Sequence, residues 1–323
     1  MAEVAWQDLA CPLCGGEHHD VVGTRDRRGA DLRTVLCTSC GHVFTNPAPN
    51  PEALAAYYRD AYRQDYKQIA TPKRKHVYRA GVGAARRFAQ LAPHIADRAK
   101  VIDIGAGGGE FVYLLAHKGF EAAGIEPHAG YANYAREMYG IDIKAGTLES
   151  AAFPEGGADA ITMHHVLEHT SSPASALRQI WSWLKSGGIA VIEVPNLASW
   201  AHAPHHRFHR AHLHTFNRTG LEDAFINAGF EIVQMSAPGD RGHLHCIARK
   251  TLKPPTQTWR DVSAESKSTL AAHTRLTHIL SGQPFRRLHA NITRPLREAR
   301  AIRALGSPES GRGILDALFT VSA

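Results

Sequence analysis

The segment that most constrains the fold is rich in glycine and joins a predicted strand to a predicted helix. The apolar run Lys100–Gly105 predicts a short buried strand, and Phe111–Lys118 has a helical pattern. Between them lie Gly105, Gly107 and Gly109, which allow the backbone to approach a ligand closely. A strand, a glycine turn and a helix in this order predict an open α/β sheet with its ligand at the carboxyl ends of the strands.

The same alternation continues to about residue 250. Apolar runs of strand length are separated by helical patterns, which predicts βαβ units and a parallel sheet covered on both faces. The predicted strands lie at about 100–105, 122–126, 141–144, 158–163, 188–194, 231–235 and 244–249, and the helices at about 111–118, 131–138, 175–184 and 221–228.

Composition indicates an ordinary globular protein. Hydrophobic residues make up 44% of the 323 residues and charged residues 21%, which argues against global disorder. No apolar run reaches the roughly 18 residues of a membrane span, so we expect no membrane partner. The first residues lack the basic start and apolar run of a secretory signal, and we therefore expect a cytoplasmic protein.

The net charge of +7 is unevenly distributed. Residues 101–200 carry 5 basic and 11 acidic residues, so the basic character lies in the flanks. Such flanks can bind nucleic acid. A generally basic surface is the favoured interpretation, because no cluster of aromatic and basic residues accompanies the charge.

Four of the five cysteines form two pairs. Cys11 and Cys14 are separated by two residues, as are Cys37 and Cys40, and glycine follows each pair. This spacing lets a tight turn direct two thiolates at one ion, and four thiolates complete a closed tetrahedral shell. We predict a structural Zn²⁺ site. The alternatives are two disulfides, which a cytosolic setting disfavours, and a redox pair, which is disfavoured because nothing near the cysteines looks thioredoxin-like. The fifth cysteine, Cys246, lies in an apolar stretch and is predicted to be a core residue.

The glycine turn departs from the dinucleotide-binding pattern. Its third glycine comes one residue early, and Glu110 stands where the pattern has glycine, beside which a pyrophosphate would be repelled. A dehydrogenase is therefore disfavoured, and a cationic ligand without phosphates is favoured. Glu126 ends the second predicted strand, where a carboxylate can accept hydrogen bonds from ribose hydroxyls. A cationic adenosine compound without phosphates is S-adenosylmethionine.

Four segments in order resemble the class I S-adenosylmethionine-dependent methyltransferases. They read VIDIGAGGGEF, GIEPHAGYANYA, DAITMHHVLEHTSSPASALRQIWSWLKSGGIAVIEVPN and HLHTFNRTGLEDAFINAGFEIV. The start, CPLCGG…CTSCGHVFTNPAPNPEALAAYY, is similar to the zinc-binding leader of bacterial methyltransferases that act on sugars and other small metabolites. The resemblance covers about residues 11–250. It implies a Rossmann-like, doubly wound α/β fold with a mostly parallel seven-stranded sheet, a small N-terminal zinc ribbon and a helical C-terminal extension.

The resemblance also implies a set of cofactor-binding residues. Gly105, Gly107 and Gly109 would line the methionine portion of S-adenosylmethionine. Asp103 would reach its ammonium group, and Glu126 would hold the ribose. The other residues implied in this site are Pro127, Thr147, Leu148 and His164.

Histidines are the candidates for the chemistry. Methyl transfer to a hydroxyl or an acidic carbon requires alignment and removal of a proton. Eight of the 21 histidines lie between residues 202 and 245. His212 is the predicted general base, because the resemblance implies a histidine before Phe216 that faces the acceptor. The further catalytic candidates are His214 and the group His165, Glu168 and His169, which we expect to project to one side of a helical turn after the fourth strand.

Other roles for these residues stay open. Glu168 and His169 could brace the following helix, and in some members of the family such a pair has been linked to a divalent metal. The histidines at 202, 205, 206 and 209 are either solvated loop residues or a second metal group. The tyrosines at 57, 58, 62 and 66 would wall the acceptor or pack against the zinc module.

We predict a zinc-ribbon module at 1–50, a helical connector or lid at 51–96, a methyltransferase core at 97–251 and a basic helical extension at 252–323. The predicted acceptor is a small molecule such as a nucleotide sugar, a glycan unit or a natural-product intermediate, methylated on oxygen or carbon. The alternatives are an RNA methyltransferase that uses the zinc ribbon and basic flanks, and a non-catalytic binding subunit.

Overall fold

The computed structural model describes residues 6–56, 72–237, 242–252 and 257–321. The tyrosines of the predicted connector, at 57, 58, 62 and 66, lie outside these residues. The chain forms two compact units, one made of residues up to 54 together with 163–287, and the other of 55–162 together with 288–323. The domain boundaries predicted from the sequence stay a prediction.

Strands and helices alternate through the middle of the chain, as predicted. The strands are β1 (Trp6–Gln7), β2 (His19–Arg25), β3 (Asp31–Cys37), β4 (Val43–Thr45), β5 (Ala48–Pro49), β6 (Lys100–Ile104), β7 (Glu121–Glu126), β8 (Asp142–Ala145), β9 (Ala158–His164), β10 (Leu184–Pro195), β11 (His214–Thr215), β12 (Phe230–Ser236) and β13 (His243–Lys250). The helices are α1 (Pro51–Ala56), α2 (Arg74–Leu91), α3 (Glu110–His117), α4 (Ala129–Tyr139), α5 (Pro173–Trp183), α6 (Arg218–Asn227), α7 (Ser263–Ala272), α8 (Arg275–Leu280), α9 (Gln283–Ala304) and α10 (Gly311–Val321).

A seven-stranded sheet has the order β12-β13-β10-β9-β6-β7-β8. Strands β6, β7 and β8 pair in parallel, whereas β13 pairs antiparallel with both β10 and β12. Strand β6 is buried from Val101 to Ile104, as expected for a strand covered on both faces. This sheet confirms the predicted mostly parallel, Rossmann-like fold.

A smaller antiparallel sheet carries the cysteine segment. Its order is β11-β4-β3-β2, so three strands of the N-terminal segment are joined by β11 from much later in the chain. Leu36 and Val43 form its core with Leu197, all three being almost fully buried. The N-terminal sheet is therefore completed by residues outside the predicted 1–50 module.

The last helix belongs to the core of the second unit. Ile314, Leu315 and Phe319 of α10 are at most 1% exposed. Helix α2 meets α10 at Gly81, where a Cβ would lie 2.7 Å from the Leu315 side chain. A larger residue at Gly81 would have to displace the Leu315 side chain, so α10 packs closely against α2 although no resemblance extended to it.

Candidate active site

The glycine turn has the conformation that its sequence predicts. Gly105, Gly107 and Gly109 have φ values of 74°, 60° and 85°, in the left-handed region that favours glycine. A Cβ on Gly109 would lie 2.7 Å from Ala135 and 2.8 Å from Ile141. The absence of a side chain at Gly109 therefore also serves packing. Helix α3 begins directly after this glycine, at Glu110.

Glu126 at the end of β7 holds this turn from the second strand. Its carboxylate accepts a hydrogen bond from the Gly107 amide at 2.9 Å and another from the His128 amide at 3.2 Å. The side chain is buried. Glu126 therefore lies directly against the glycine turn, where the sequence predicts a bound ribose.

Asp103 is buried one residue before the end of β6. Its Oδ1 accepts a hydrogen bond from the Thr162 hydroxyl at 2.7 Å. Burial raises the pKa of Asp103 to about 6, although the nearby Arg87 opposes this shift. A cationic ligand group at this carboxylate would compensate the cost of burying its charge.

The remaining predicted cofactor residues lie at or just after the ends of strands β7, β8 and β9. Thr147 lies just after β8, where its amide donates to the Ser150 hydroxyl at 2.9 Å, and the adjacent Leu148 is buried. Pro127 follows Glu126 and is half-buried, and His164 is the buried last residue of β9. Their roles stay predictions.

The first unit contains a group of titratable side chains that we name the Glu168 cluster: Glu168, His165, His169 and His212. Glu168 is fully buried, and its Oε1 lies 3.4 Å from His165 Nδ1, 3.9 Å from His169 Nε2 and 4.0 Å from His212 Nε2. The structure thus places three of the predicted catalytic histidines around the predicted carboxylate, although they come from two separate segments.

His165 does not lie in the helical turn that the sequence predicts. It has a left-handed backbone, with φ 58°, and the short 3₁₀ helix Leu167–His169 follows it. Its amide donates to the Glu193 carbonyl at 2.8 Å, and its Nε2 lies 3.1 Å from the Glu193 carboxylate. A left-handed conformation in a residue other than glycine is strained, and at this position it directs the imidazole between two carboxylates.

The two carboxylates control the charge of His165. Burial alone would lower the pKa of His165, but Glu168 and Glu193 outweigh it and raise that pKa to about 9. His165 is therefore an imidazolium near neutral pH. The same contacts keep the pKa of Glu168 and of Glu193 below the usual range despite burial.

His169 and His212 differ from His165 in their protonation. His169 Nδ1 lies 2.6 Å from the Ala211 carbonyl, which can only accept, so Nδ1 carries the proton and Nε2 faces Glu168. Burial, reinforced by neighbouring His169 and His209, holds the pKa of His212 well below the usual range. His212 is thus a neutral imidazole, about one fifth exposed.

His214, another predicted catalytic residue, is occupied by structural contacts. Its Nε2 donates to the Thr170 carbonyl at 2.9 Å, so Nδ1 is left to accept from His42 Nε2 at 3.2 Å. It is almost fully buried. To act as a base, His214 would have to break one of these bonds.

A cavity of about 450 Å³ lies in the same unit. His243 lines it and meets the His165 ring edge to face, with ring centroids 4.5 Å apart. The cavity therefore adjoins the Glu168 cluster. Its other lining residues include Asn196, Ser199, Trp200, Gln283 and Arg286.

Residues 75–235, about half of the chain, match the family model described as "Methyltransferase domain". This range contains the glycine turn, Glu126 and the Glu168 cluster. The chain belongs to the class I S-adenosylmethionine-dependent methyltransferases.

Curated relatives of this methyltransferase have several different activities. It is 25% identical over 249 residues to the biotin biosynthesis bifunctional protein BioHC of Cellvibrio japonicus, covering 71% of this chain and 47% of that protein. It is 31% identical over 120 residues to the ubiquinone biosynthesis O-methyltransferase of Ruegeria pomeroyi, covering 36% of this chain and 45% of that enzyme. The methyltransferase thus spans about half of the length of the curated relatives that it matches.

The four paired cysteines of the methyltransferase converge. Cys11 and Cys40 have their sulfurs 3.7 Å apart, and those of Cys14 and Cys37 are 3.6 Å apart. Four sulfurs at tetrahedral positions around Zn²⁺, each at about 2.3 Å, lie about 3.8 Å from one another. A disulfide needs a separation of about 2.05 Å, so these residues are free thiols, close enough together to share one metal ion.

Within the described ranges, two groups of three or more ligands are close enough to share a metal: the four cysteines, and Glu168 with His169 and His212. The histidines between 202 and 209 form no such group there. Cys246 is a buried core residue, as predicted.

Glu193, the second carboxylate at His165, was not predicted from the sequence. It lies on β10 within the apolar run IAVIEVP, where a single acidic residue in a buried strand was the available signal. The role of His42 in holding His214 had no signal of its own, because the two residues are 172 positions apart.

Proposed function

We propose that this methyltransferase acts on a hydroxyl or an acidic carbon of a small metabolite and that His212 removes the proton. The observation that supports this proposal is the fully buried Glu168 with three imidazoles around it, beside a cavity with polar walls. A site with a carboxylate, an imidazolium and a neutral imidazole is suited to accept and stabilise a proton.

His212 is favoured over its neighbours by its protonation state. His165 already carries a proton near neutral pH, and both nitrogens of His214 have partners. His212 is neutral and partly exposed. Once His212 takes a proton, the Glu168 carboxylate 4.0 Å away stabilises the imidazolium, as the third member of a catalytic triad does.

The cofactor assignment rests on the fit between the second unit and a cationic nucleoside. When bound, S-adenosylmethionine supplies an electrophilic methyl group. Gly105, Gly107 and Gly109 would let the backbone lie against its methionine portion, Asp103 would pair with the ammonium group, and Glu126 would hold the ribose hydroxyls. Pro127, Thr147 and Leu148 of the same unit would enclose the nucleoside, and the part of His164 in cofactor binding is what the family resemblance implies.

We predict that Glu126→Gln weakens S-adenosylmethionine binding at least ten-fold in calorimetry, because an amide loses the charge-assisted hydrogen bonds of a carboxylate. Glu121→Gln, at the exposed start of the same strand, is the matched control and should bind normally. Equal affinity of both variants would remove the ribose assignment.

The four cysteines are proposed to hold a structural Zn²⁺. Two properties of the four cysteines fit a bound Zn²⁺: the distances between their sulfurs and the chemistry of their thiols. The neighbouring thiols, with burial, raise the pKa of Cys40 far above the usual range, so four thiolates cannot coexist there without a cation.

The test of the proposed reaction is His212→Asn, which keeps the shape and removes the base. With methyl-labelled S-adenosylmethionine and the metabolites below about 1 kDa from the producing cells, we expect turnover to fall about 10²- to 10⁴-fold, the usual contribution of a general base. Cofactor affinity should stay unchanged. His206→Asn, at an exposed residue of the same segment, should retain full turnover.

The same experiment separates the alternatives. Label that enters RNA and not the small-metabolite fraction would replace the proposed acceptor class. Full turnover by His212→Asn on small metabolites would keep the acceptor class and refute the base.

A further inference from the structure

Helix α9 exposes an apolar stripe. Phe285, Leu288, Ile292 and Leu296 are 59–66% exposed and recur at helical spacing, so they share one face. The preceding α8 adds three further exposed apolar side chains, Leu276, Ile279 and Leu280. Seven of the thirteen large apolar side chains that are exposed in the described residues thus lie within 276–296. Such a concentration marks an interaction surface.

The polar side of α9 is strongly basic. Its single acidic residue, Glu298, is buried and accepts two hydrogen bonds from Arg79, at 2.8 and 2.9 Å. The solvent-facing side of α9 therefore has no carboxylate. Helix α9 carries six exposed arginines: Arg286, Arg287, Arg294, Arg297, Arg300 and Arg303. At 100° per residue, Arg303 falls in line with Phe285, about two turns beyond Leu296, and the other five lie outside the apolar stripe.

The stripe and the arginines adjoin each other. At 100° per residue, the four apolar positions fall within about 80° of the helix circumference. Arg300, Arg297 and Arg286 occupy the next 100° or so on one side of this stripe. The helix is thus amphipathic, with an arginine band immediately beside its exposed apolar face.

We propose that α9 binds the surface of an anionic lipid bilayer, with the apolar stripe at the boundary of headgroups and acyl chains and the arginines on lipid phosphates. An amphipathic helix with a basic polar face and Phe and Leu on the other face has this property. No helix of the described residues is long and apolar enough to cross a bilayer, so α9 lies on the membrane. This replaces the expectation of no membrane partner, which considered spanning segments only.

The charge and the apolar stripe of α9 together favour an anionic bilayer over two other partners, a second copy of the chain and RNA. A second copy of the chain docked through the same face would bring two arginine bands together without a carboxylate between them. RNA would satisfy the arginines and leave the apolar stripe in water. An anionic bilayer satisfies both faces, and each basic residue near such a surface strengthens binding about five-fold, equivalent to ~1 kcal/mol.

The test is co-sedimentation of the full chain with vesicles of phosphatidylglycerol and phosphatidylcholine at equal proportions. We expect binding that weakens as salt is raised and that pure phosphatidylcholine does not support. Arg297→Gln with Arg300→Gln should weaken binding about 25-fold, five-fold for each arginine. Leu288→Ala, Ile292→Ala and Leu296→Ala together should weaken it more than ten-fold.

These substitutions are at exposed positions and preserve helix propensity, and circular dichroism checks that the variants are folded. The matched control replaces three exposed aliphatic residues elsewhere, Val21, Val82 and Leu252, with Ala and should bind vesicles normally. Absence of vesicle binding, equal binding to phosphatidylcholine, or equal losses in the control and stripe variants would each overturn the proposal. So would sedimentation equilibrium showing a dimer that the stripe variant abolishes, or RNA binding that replaces vesicle binding. Because the readout is vesicle binding, the proposal does not depend on the acceptor or on His212.

Discussion

The four cysteines and the Glu168 cluster are both able to hold a cation, yet they are built in opposite ways. The cysteines are four like ligands from two short spacings, and three of them are buried. The Glu168 cluster mixes a carboxylate with imidazoles, and His212 keeps an exposed side toward solvent. The cysteine group is a closed shell, whereas the Glu168 cluster is open on one side.

This difference separates a structural site from a reactive one. A closed tetrahedral shell has no position for a substrate, so a metal held by the four cysteines would contribute to folding and not to the reaction. In the Glu168 cluster the His165 imidazolium lies 3.4 Å from Glu168 and offsets part of the negative charge, which weakens the attraction for a further cation. We therefore infer that the cluster moves protons and that the cysteines hold metal.

The largest expected effect is on the cysteine site. Cys37→Ser should abolish zinc binding and unfold the N-terminal sheet, because structural zinc contributes about 10–16 kcal/mol of binding free energy that is also folding free energy. The measurement is zinc content per chain together with urea unfolding. Cys246→Ser makes the same chemical change on β13, outside the cluster, and should retain one zinc per chain. A stable zinc-free Cys37→Ser protein would refute the structural role.

The cysteines and the glycine turn could be predicted from the sequence because each is made by residues close together in the chain. Two residues between thiolates, or a glycine every second position, define local geometry whatever the rest of the fold does. Glu126 followed from the same pattern, since it ends the next strand of the sheet and its carboxylate bonds to the turn.

The Glu168 cluster could be predicted in its members but not in its geometry. His165 lies outside the helical turn that contains Glu168 and His169, because its amide bonds to the Glu193 carbonyl and its backbone takes a left-handed conformation. Helix α10 was missed as a core element for a related reason. Its fit depends on a glycine 234 residues earlier, at Gly81, and no local pattern records such a contact.

A smaller effect is expected from pH, and it tests the charge balance of the Glu168 cluster. The folded-state pKa of His165, about 9, lies above the usual 6.5. The stabilisation from its two carboxylates is therefore complete below about pH 6.5 and is lost as pH rises through 9. We expect the free energy of unfolding in urea to fall by about 1–2 kcal/mol over this range, a value reduced for solvent screening of a partly exposed ring.

Glu168→Gln should flatten this pH dependence, because it removes one of the two charges that raise the pKa of His165. The control is Glu121→Gln, which removes a carboxylate from the exposed pair with Lys100 and should leave the slope unchanged. Identical slopes for Glu168→Gln and the parent protein would mean that His165 is not the titrating group.

The smallest expected effect is the change in turnover after treatment with a chelator. This measurement distinguishes the four cysteines from the Glu168 cluster most directly. If Glu168 moves protons with His212, a brief incubation with EDTA should change turnover on the small-metabolite fraction by less than two-fold. Zinc content must be measured on the same sample, so that only protein retaining one zinc per chain is compared.

Glu168, His169 and His212 do lie within metal-binding distance of one another. Added Mn²⁺ would have to displace the His165 proton to balance its charge there, which makes binding weaker as pH falls below about 9. A ten-fold loss in EDTA that Mn²⁺ restores, with zinc still bound, would show that the cluster is a second metal site and that His212 is a ligand and not the base.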